Sequence, residues 1–296
     1  MADKKKRKRG DRRDGRWIKG TGLQTIMSVL LPNRTDCEVF LKETIDCTEI
    51  LKYIEEQNQG REKDERMTLF HCIVTGVARM VKERPVMNRF IAGTRCYERD
   101  EISLAFVAKR RFTDHAEEAL MFIFAKDDDT VHTISKKIIG DVREARKTEH
   151  SSGGIDAVVD KFAGIPRPLL IPVIKIIRIL DFWGLNPKAL TDGDPNYATV
   201  FMSNLGSIKC PAVYHHLNNY GTNSIFLTIG TIHKEELVME DGTKQIRDVV
   251  DIGATLDERI GDGFYFARSL KLIKHIFANP ELLEKPIGEN SGFDYK

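Results

Sequence analysis

Residues 256–263 read Leu-Asp-Glu-Arg-Ile-Gly-Asp-Gly, and the elements on either side of this stretch decide the fold. Before it, Asp241-Gly242 is a strong hairpin signal that leads into a predicted strand from Ile246 to Leu256. After it, Gly263 to Phe277 has apolar residues at helical spacing, and Asn279-Pro280 ends the predicted helix. The C-terminal part of the chain is therefore predicted to run from a hairpin through a short acidic turn into a helix.

Upstream of this stretch, helices and strands alternate without a regular order. Met67 to Lys82 predicts a helix, because its apolar residues fall on one face, and Arg84-Pro85 ends it. A second helix is predicted to begin at Asp129-Thr130 and to run through Arg146. Residues 36–57 are compatible with both strand and helix. The predicted strands are Arg89–Ile91, Ile102–Val107, Leu120–Phe124, Ala198–Ser203 and Ser224–Gly230. Such an order favours an α/β fold, a two-layer α+β sandwich with a mixed sheet and flanking helices, over a doubly wound sheet.

Length and composition are those of a soluble globular protein. The chain has 296 residues, of which 41% are hydrophobic and 30% charged, and it contains no uninterrupted apolar run long enough for a transmembrane helix. Five scattered cysteines without a CxxC pair predict reduced thiols and no metal site. No apolar segment of a signal peptide follows the basic N-terminus. We therefore expect a cytoplasmic protein with a single domain over residues 21–296.

Residues 1–20 are strongly basic. They hold ten Lys or Arg and three Asp, a local charge of +7 against +2 for the whole chain. The first interpretation is a disordered, solubilising tail. The alternative is a patch that contacts nucleic acid or anionic lipid. No aromatic residue interleaves the basic run Lys4 to Arg9, so a platform for stacking bases is not predicted.

Residues 166–185 form an unusually apolar segment that we expect to be a helical insertion in the domain. Lys175, Arg178 and Asp181 recur every three residues and leave a narrow polar stripe on the predicted helix. The first interpretation is a helix buried against the core or against another subunit. The alternative is a helix that lies on a membrane surface.

Three stretches together resemble one known family. Arg84–Arg89 is similar to a motif at a helix end, Phe201–Ile208 is similar to an S-N-L-G turn, and Glu258–Gly263 is similar to H-R-x-x-D-G with its first residue changed. In this order and spacing they resemble the catalytic domain of 2-oxo acid dehydrogenase acyltransferases, or dihydrolipoyl acyltransferases. These proteins share the fold of chloramphenicol acetyltransferase. The resemblance extends over about residues 65–285 and is strongest to a stand-alone bacterial subgroup with glutamate in place of histidine.

The resemblance implies a homotrimer in which coenzyme A and the acyl acceptor enter a channel between subunits from opposite ends. It assigns catalytic roles to three residues: Glu258 at the position of the base, Ser203 as a donor to the oxyanion, and Asp262 in orienting the loop. The substrate-binding candidates are Asn204, Gly206 and His216. The last is one of two adjacent histidines, 215 and 216, which would point to opposite faces of a strand. Lipoyl and subunit-binding modules are not recognised in the sequence.

The glutamate at position 258 raises a chemical question. A thiol has a pKa of about 8.5, histidine about 6.5 and glutamate about 4.3, so a carboxylate is the weaker base for a thiol by about two pKa units. Family-type acylation of a thiol would be slower by up to about a hundredfold. The leading hypothesis is acyl transfer between coenzyme A and an unknown acceptor. The alternatives are a catalytically inactive trimeric scaffold or small-molecule-binding protein, in which Glu258 pairs with a cation, and a membrane or nucleic-acid partner that uses the basic tail.

Overall fold

The computed structural model describes residues 7–109, 118–147, 164–239 and 241–295. The helices are α1 (Gly22–Leu30), α2 (Thr48–Gln57), α3 (Leu69–Glu83), α4 (Val131–Lys147), α5 (Arg167–Phe182) and α6 (Gly263–Ala278). The strands are β1 (Gly15–Ile18), β2 (Glu38–Asp46), β3 (Arg89–Ala92), β4 (Arg95–Arg99), β5 (Ile102–Lys109), β6 (Glu118–Ala125), β7 (Val200–Asn204), β8 (Ile225–Val238) and β9 (Lys244–Asp257).

A six-stranded mixed sheet forms the centre of the molecule. Its strand order is β2-β9-β8-β7-β5-β6, with β7 parallel to both of its neighbours and the other pairs antiparallel. Helices α2, α3, α4 and α6 form a layer with the sheet, and α3, α4 and α6 contact β5, β6 and β2 respectively. The predicted two-layer α/β sandwich is therefore confirmed.

Alternation along the strands divides the sheet into two faces. On β7, Val200 and Met202 are fully buried under the helices, whereas Phe201 and Ser203 point to the opposite face and are only partly buried. In α3 the whole stretch from His71 to Val81 is buried, and Phe70 packs edge-on against Phe106 of β5 at 5.0 Å. The face that carries Ser203 has no layer of helices over it in the described part of the chain.

The prediction that residues 1–20 are disordered is wrong for Gly15–Ile18. These residues pair antiparallel with β4 in a small sheet of order β1-β4-β3. Gly15 permits the approach, because a Cβ there would lie 2.8 Å from the Glu98 carbonyl oxygen. Its partner strand β4 lies about 80 residues further along the sequence, so no local sequence pattern predicts the pairing. Residues 1–6 lie outside the described residues.

The remaining predictions of secondary structure hold, with ends that differ by a few residues and with strand β8 longer than predicted. Residues 36–57, which left strand and helix open, contain both: strand β2 and then helix α2. Strands β8 and β9 form the predicted hairpin at Asp241-Gly242, and Met239 N–H donates to the Thr243 carbonyl at 2.8 Å. Both strands extend beyond the main sheet as a two-stranded arm.

Helix α5 forms as predicted, but it is not buried in the core. Of its sixteen residues only Ile177 is buried. Four further residues of the helix are partly buried: Leu170, Val173, Leu180 and Asp181. Apart from the narrow polar stripe the helix is apolar around its circumference, so a single contact with the protein covers only part of its apolar surface. Among the described residues, no helix is long and apolar enough to cross a membrane.

Candidate functional site

Glu258 lies where β9 ends. The chain leaves the sheet at Asp257, makes a 3-10 turn over Glu258–Ile260 and enters α6 at Gly263. Glu258 is exposed, while Asp257, Arg259 and Ile260 are buried. Within the described residues its carboxylate has no hydrogen bond or ion pair. The turn therefore exposes the Glu258 carboxylate to solvent, while the residues on either side of it are buried.

A buried ion cluster holds this turn in place. Asp257, which is fully buried, receives hydrogen bonds from Arg259 Nε at 2.8 Å and Nη2 at 2.7 Å. Arg34 Nε lies 3.5 Å from the same carboxylate. Arg259 Nη1 donates to the Leu31 carbonyl at 2.8 Å, and Arg34 Nη1 donates to the Asn218 carbonyl at 2.7 Å. The cluster thus ties the turn to the end of α1 and to residues 218–221.

The pKa values of the two arginines in the cluster shift in opposite directions. Burial lowers the pKa of Arg34, and the attraction of Asp257 offsets this only in part. Burial also acts to lower the pKa of Arg259, but the hydrogen bonds to Asp257 outweigh it and raise that pKa. Arg259 is the cation nearest to Glu258 in sequence, and it is already engaged by Asp257. A pairing of Glu258 with this cation is therefore not found.

Asp262 occupies a different position from Glu258. It is exposed and caps α6, with its carboxylate accepting from the Tyr265 N–H at 2.7 Å. Because a helix N-terminus carries partial positive charge, the aspartate both satisfies a backbone donor and complements the dipole. Asp262 thereby fixes the start of α6 directly after the turn that carries Glu258.

Ser203, Asn204 and Gly206 lie together at the end of β7. Ser203 is partly buried on the sheet face opposite the helices and stands in register with Thr228 of β8. Gly206 lies against the backbone of β8, where an added Cβ would be 2.5 Å from the Gly230 carbonyl oxygen. The S-N-L-G sequence is therefore a strand end followed by a tight 3-10 turn, Leu205–Ile208, that requires glycine at its second residue.

Residues 210–217 lie across the exposed face of the sheet. The Thr231 N–H donates to the Cys210 carbonyl at 3.2 Å, the Thr228 hydroxyl donates to the Val213 carbonyl, and the Leu217 N–H donates to the Glu38 carboxylate. Such close contacts require that the strands under this segment carry no side chain at the points of contact. Strand residues Gly230 and Gly253 supply it, since a Cβ on either would lie within 2.6 Å of this segment.

The histidine that packs on this face is His215. Its ring stacks on Phe226 with centroids 4.1 Å apart and an interplanar angle of 8°. His216 is exposed, and its ring stacks on that of His215 at 4.7 Å. The expectation that the two rings point to opposite faces of a strand is wrong, because residues 211–217 are not a strand. His215 is therefore a site candidate that the sequence reasoning passed over in favour of His216.

Ser203 and Glu258 do not meet within one chain. The strand registers align Ser203 with Thr228 and Thr228 with Gly253, two strands across. Asp257 lies four residues beyond Gly253, so its Cα is about 13 Å along the strands and about 10 Å across them from that of Ser203, or about 16 Å in all. A site that uses both side chains on one substrate atom needs them from two copies.

Asp257 and Arg34 were missed by the sequence reasoning. Asp257 ends a strand that is buried on both faces, and the largely apolar run from Val249 to Leu256 before it was the signal that could have marked it as buried. Arg34 carries no comparable local signal. Across the described ranges, no group of three or more His, Cys, Asp or Glu residues could hold a metal ion.

Comparison with known proteins supports the resemblance seen in the sequence. Residues 164–284 match the profile of the 2-oxoacid dehydrogenases acyltransferase (catalytic domain) family. The lipoamide acyltransferase component of the branched-chain alpha-keto acid dehydrogenase complex of Bacillus subtilis is 23% identical over 236 residues, which cover 78% of this chain. The chain spans 44% of the length of that relative.

Solved structures agree on the fold. The dihydrolipoamide acetyltransferase of Azotobacter vinelandii, whose catalytic mechanism was investigated through a serine, a histidine and an asparagine, has a TM-score of 0.59 at 16% identity. That match covers 90% of this chain and 94% of the other. A chloramphenicol acetyltransferase has a TM-score of 0.50 at 13% identity, with 89% and 99% covered. The fold is therefore of the chloramphenicol acetyltransferase type.

Proposed function

We propose that this chain, which has the fold and the C-terminal sequence pattern of the 2-oxoacid dehydrogenase acyltransferase family, transfers an acyl group between coenzyme A and an acceptor. The observation that carries the proposal is the exposed Glu258 carboxylate, which has no partner among the described residues and stands on a turn held by buried Asp257 and Arg259. A surface glutamate without function needs no such anchoring. Fixed placement of a free carboxylate is what a general base requires.

The proposed site lies between two subunits of a homotrimer. Glu258 of one copy would face Ser203 of the next, since within one chain Ser203 is about 16 Å by strand register from Asp257, the residue before Glu258. Ser203 stands on the sheet face without a helical layer, which is the face available to a neighbouring subunit. The hydroxyl of Ser203 would donate to the oxyanion of the tetrahedral intermediate. Asp262 would act indirectly, through the start of α6.

The proposed acceptor ionises more readily than an ordinary thiol. A carboxylate accepts a proton from a thiol about two pKa units less favourably than imidazole does. It also repels a nearby oxyanion, whereas the imidazolium formed on histidine attracts it. An acceptor of lower pKa makes proton transfer to the carboxylate less unfavourable. Dihydrolipoamide is therefore expected to be a slower acceptor than a more acidic nucleophile.

The test is release of free coenzyme A from acetyl-CoA by the purified protein, with dihydrolipoamide and with a more acidic aromatic thiol as acceptors. Glu258→Gln keeps the shape of the side chain and removes the base, so turnover should fall by about a hundredfold or more. Turnover by the Ser203→Ala variant should fall by a similar factor. Glu55→Gln, an exposed glutamate of α2, is the matched control and should retain turnover.

Subunit mixing tests the shared site directly. In a trimer formed from Ser203→Ala and Glu258→Gln chains in equal amounts, about a quarter of the interfaces combine an intact Glu258 with an intact Ser203 from the neighbour. Turnover should return to about that fraction. No recovery in mixed trimers would contradict a site between subunits. Absence of turnover in the native protein, with a gain in Glu258→His, would instead support the inactive scaffold.

A further inference from the structure

Helix α5 presents an apolar ridge to solvent. Ile171, Lys175, Ile179 and Phe182 follow one another at helical spacing on the side away from Ile177, the buried residue of the helix. Their apolar members are exposed by 58%, 60% and 46%. A row of large apolar side chains with this exposure is a contact surface for something outside the chain.

Helix α1 continues the same surface. It contains no charged residue, and Leu23, Ile26, Val29 and Leu30 are all more than half exposed. Ser28 of α1 and Phe182 of α5 border one cleft of about 250 Å³, so the two helices are neighbours. The apolar surface therefore spans two helices instead of a single side chain row.

Cations lie within and beside this apolar surface. Lys175 and Arg178 are exposed on α5, whose single acid, Asp181, is engaged by Asn186 Nδ2 at 3.1 Å and by the Tyr197 hydroxyl at 3.0 Å. The basic N-terminal segment is fixed beside the same helix. Arg12 Nη1 donates to the Asp181 carbonyl at 2.7 Å. Exposed cations of that segment are Arg7, Lys8, Arg9, Arg13, Arg16 and Lys19.

Two tryptophans lie at the margin of the surface. Trp183, which follows α5 and is 68% exposed, packs edge-on against Phe182 at 5.2 Å. Trp17 on β1 is 44% exposed, with the Arg95 guanidinium 4.8 Å from its ring centroid. Tryptophan is enriched where an apolar layer meets water, because its ring is apolar and its N–H is polar.

We propose that α1, α5 and residues 7–19 together dock on the surface of an anionic phospholipid bilayer. The apolar ridge would enter the boundary between headgroups and acyl chains, while Lys175, Arg178 and the N-terminal cations contact lipid phosphates. This combination of an apolar face and a basic cluster supplies the two signals that stable membrane association needs. The proposal is independent of the acyl transfer described above.

Other occupants fit this surface less well. A second copy docked with this surface against itself would bring the cations of both copies to one interface, and like charges in contact are destabilising. A three-fold contact through this surface is the outcome that the light-scattering arm of the test detects. Nucleic acid would pair with the cations but would leave Ile171, Ile179 and Phe182 in water. An anionic bilayer matches both the charge and the apolar ridge.

Vesicle co-sedimentation of the full chain tests the proposal. The protein should pellet with vesicles that contain phosphatidylglycerol and should bind vesicles of phosphatidylcholine alone far more weakly. Lys175→Ser with Arg178→Ser should weaken binding roughly 25-fold, at about fivefold for each cation near the surface. Ile171→Ser with Ile179→Ser should weaken it roughly tenfold or more.

A matched control comes from the β8–β9 arm. Val238→Ser with Ile246→Ser removes two side chains that are 70% and 73% exposed, and binding should not change. Circular dichroism verifies that each variant is folded. The proposal is overturned if the native protein binds neither vesicle or binds only duplex DNA. It is equally overturned if the α5 variants bind as the native protein does, or if they only reduce the oligomer size seen by light scattering.

Discussion

The substitution Asp257→Asn is predicted to destabilise the protein more than any change at Glu258. Asp257 is fully buried, and its carboxylate is the shared partner of Arg259 at 2.7 and 2.8 Å and of Arg34 at 3.5 Å. Asparagine keeps the shape but removes the charge, which leaves two buried guanidinium groups without their anion. Removing one partner of a buried ion pair costs about 3–5 kcal/mol.

Urea denaturation followed by circular dichroism measures this loss. The midpoint should fall by about 1 M or more, given a urea dependence of about 3 kcal/mol per molar for a chain of this size. Protein concentration is held constant, because an oligomer gains apparent stability by mass action. Glu258→Gln should leave the midpoint unchanged, since its carboxylate is exposed and makes no hydrogen bond or ion pair within the described residues.

The matched control is Asp248→Asn on the same strand. Asp248 pairs with Lys234 at 3.0 Å, but the lysine side chain is 70% exposed, and such surface pairs contribute about 1 kcal/mol or less. Asp257→Asn should therefore exceed the control several-fold. A loss below about 1 kcal/mol for Asp257→Asn, or one equal to that of Asp248→Asn, would refute the role of the buried cluster in holding the turn.

Three further predictions concern the fold around the site. Burial lowers the pKa of His71 to about 4, so the unfolded chain binds a proton first, and stability should fall by up to about 3 kcal/mol as the pH drops from about 6.5 to about 4; His71→Gln should flatten this decline in urea titrations at several pH values, and an unchanged slope would contradict the assignment. Gly253→Ala places a Cβ 2.5 Å from the Val213 carbonyl oxygen and should cost about 1–3 kcal/mol in thermal unfolding, whereas Gly263→Ala meets nothing within 4 Å and should be tolerated. Asp262→Ala should lose about 1 kcal/mol through the cap of α6 and Asp262→Asn should lose almost nothing, a difference that denaturant midpoints resolve; equal losses would remove the capping role.

Local pattern was sufficient for most helices and strands. The apolar residues of α3 recur at helical spacing because one face packs against the sheet, and the hairpin at Asp241-Gly242 follows from the backbone that a tight turn demands. Residues 36–57 were ambiguous because strand β2 passes into helix α2 after a single residue, so neither periodicity extends over the segment.

Candidate site residues were predicted by motif and placed by the fold. Glu258 and Ser203 could be named from their sequence context, but their separation within one chain depends on the registers of β7, β8 and β9. The two histidines show where sequence patterns are insufficient. Because a strand was assumed, His216 was predicted as the site residue. The segment is irregular, and it is the ring of His215 that stacks on Phe226. Hydrogen bonds between that segment and strands β8 and β2 decide the geometry, and they join residues distant in sequence.

The sequence by itself determined the order of most elements, the two-layer architecture and the identity of the carboxylate at position 258. These depend on periodicity, on turn chemistry and on short motifs, all of which are local. Only the tertiary structure decided that Asp257 would pair with Arg34, that β1 would join β4, and that α5 would remain exposed. Each of these outcomes depends on which distant surfaces meet, because burial and charge pairing are properties of the assembled chain.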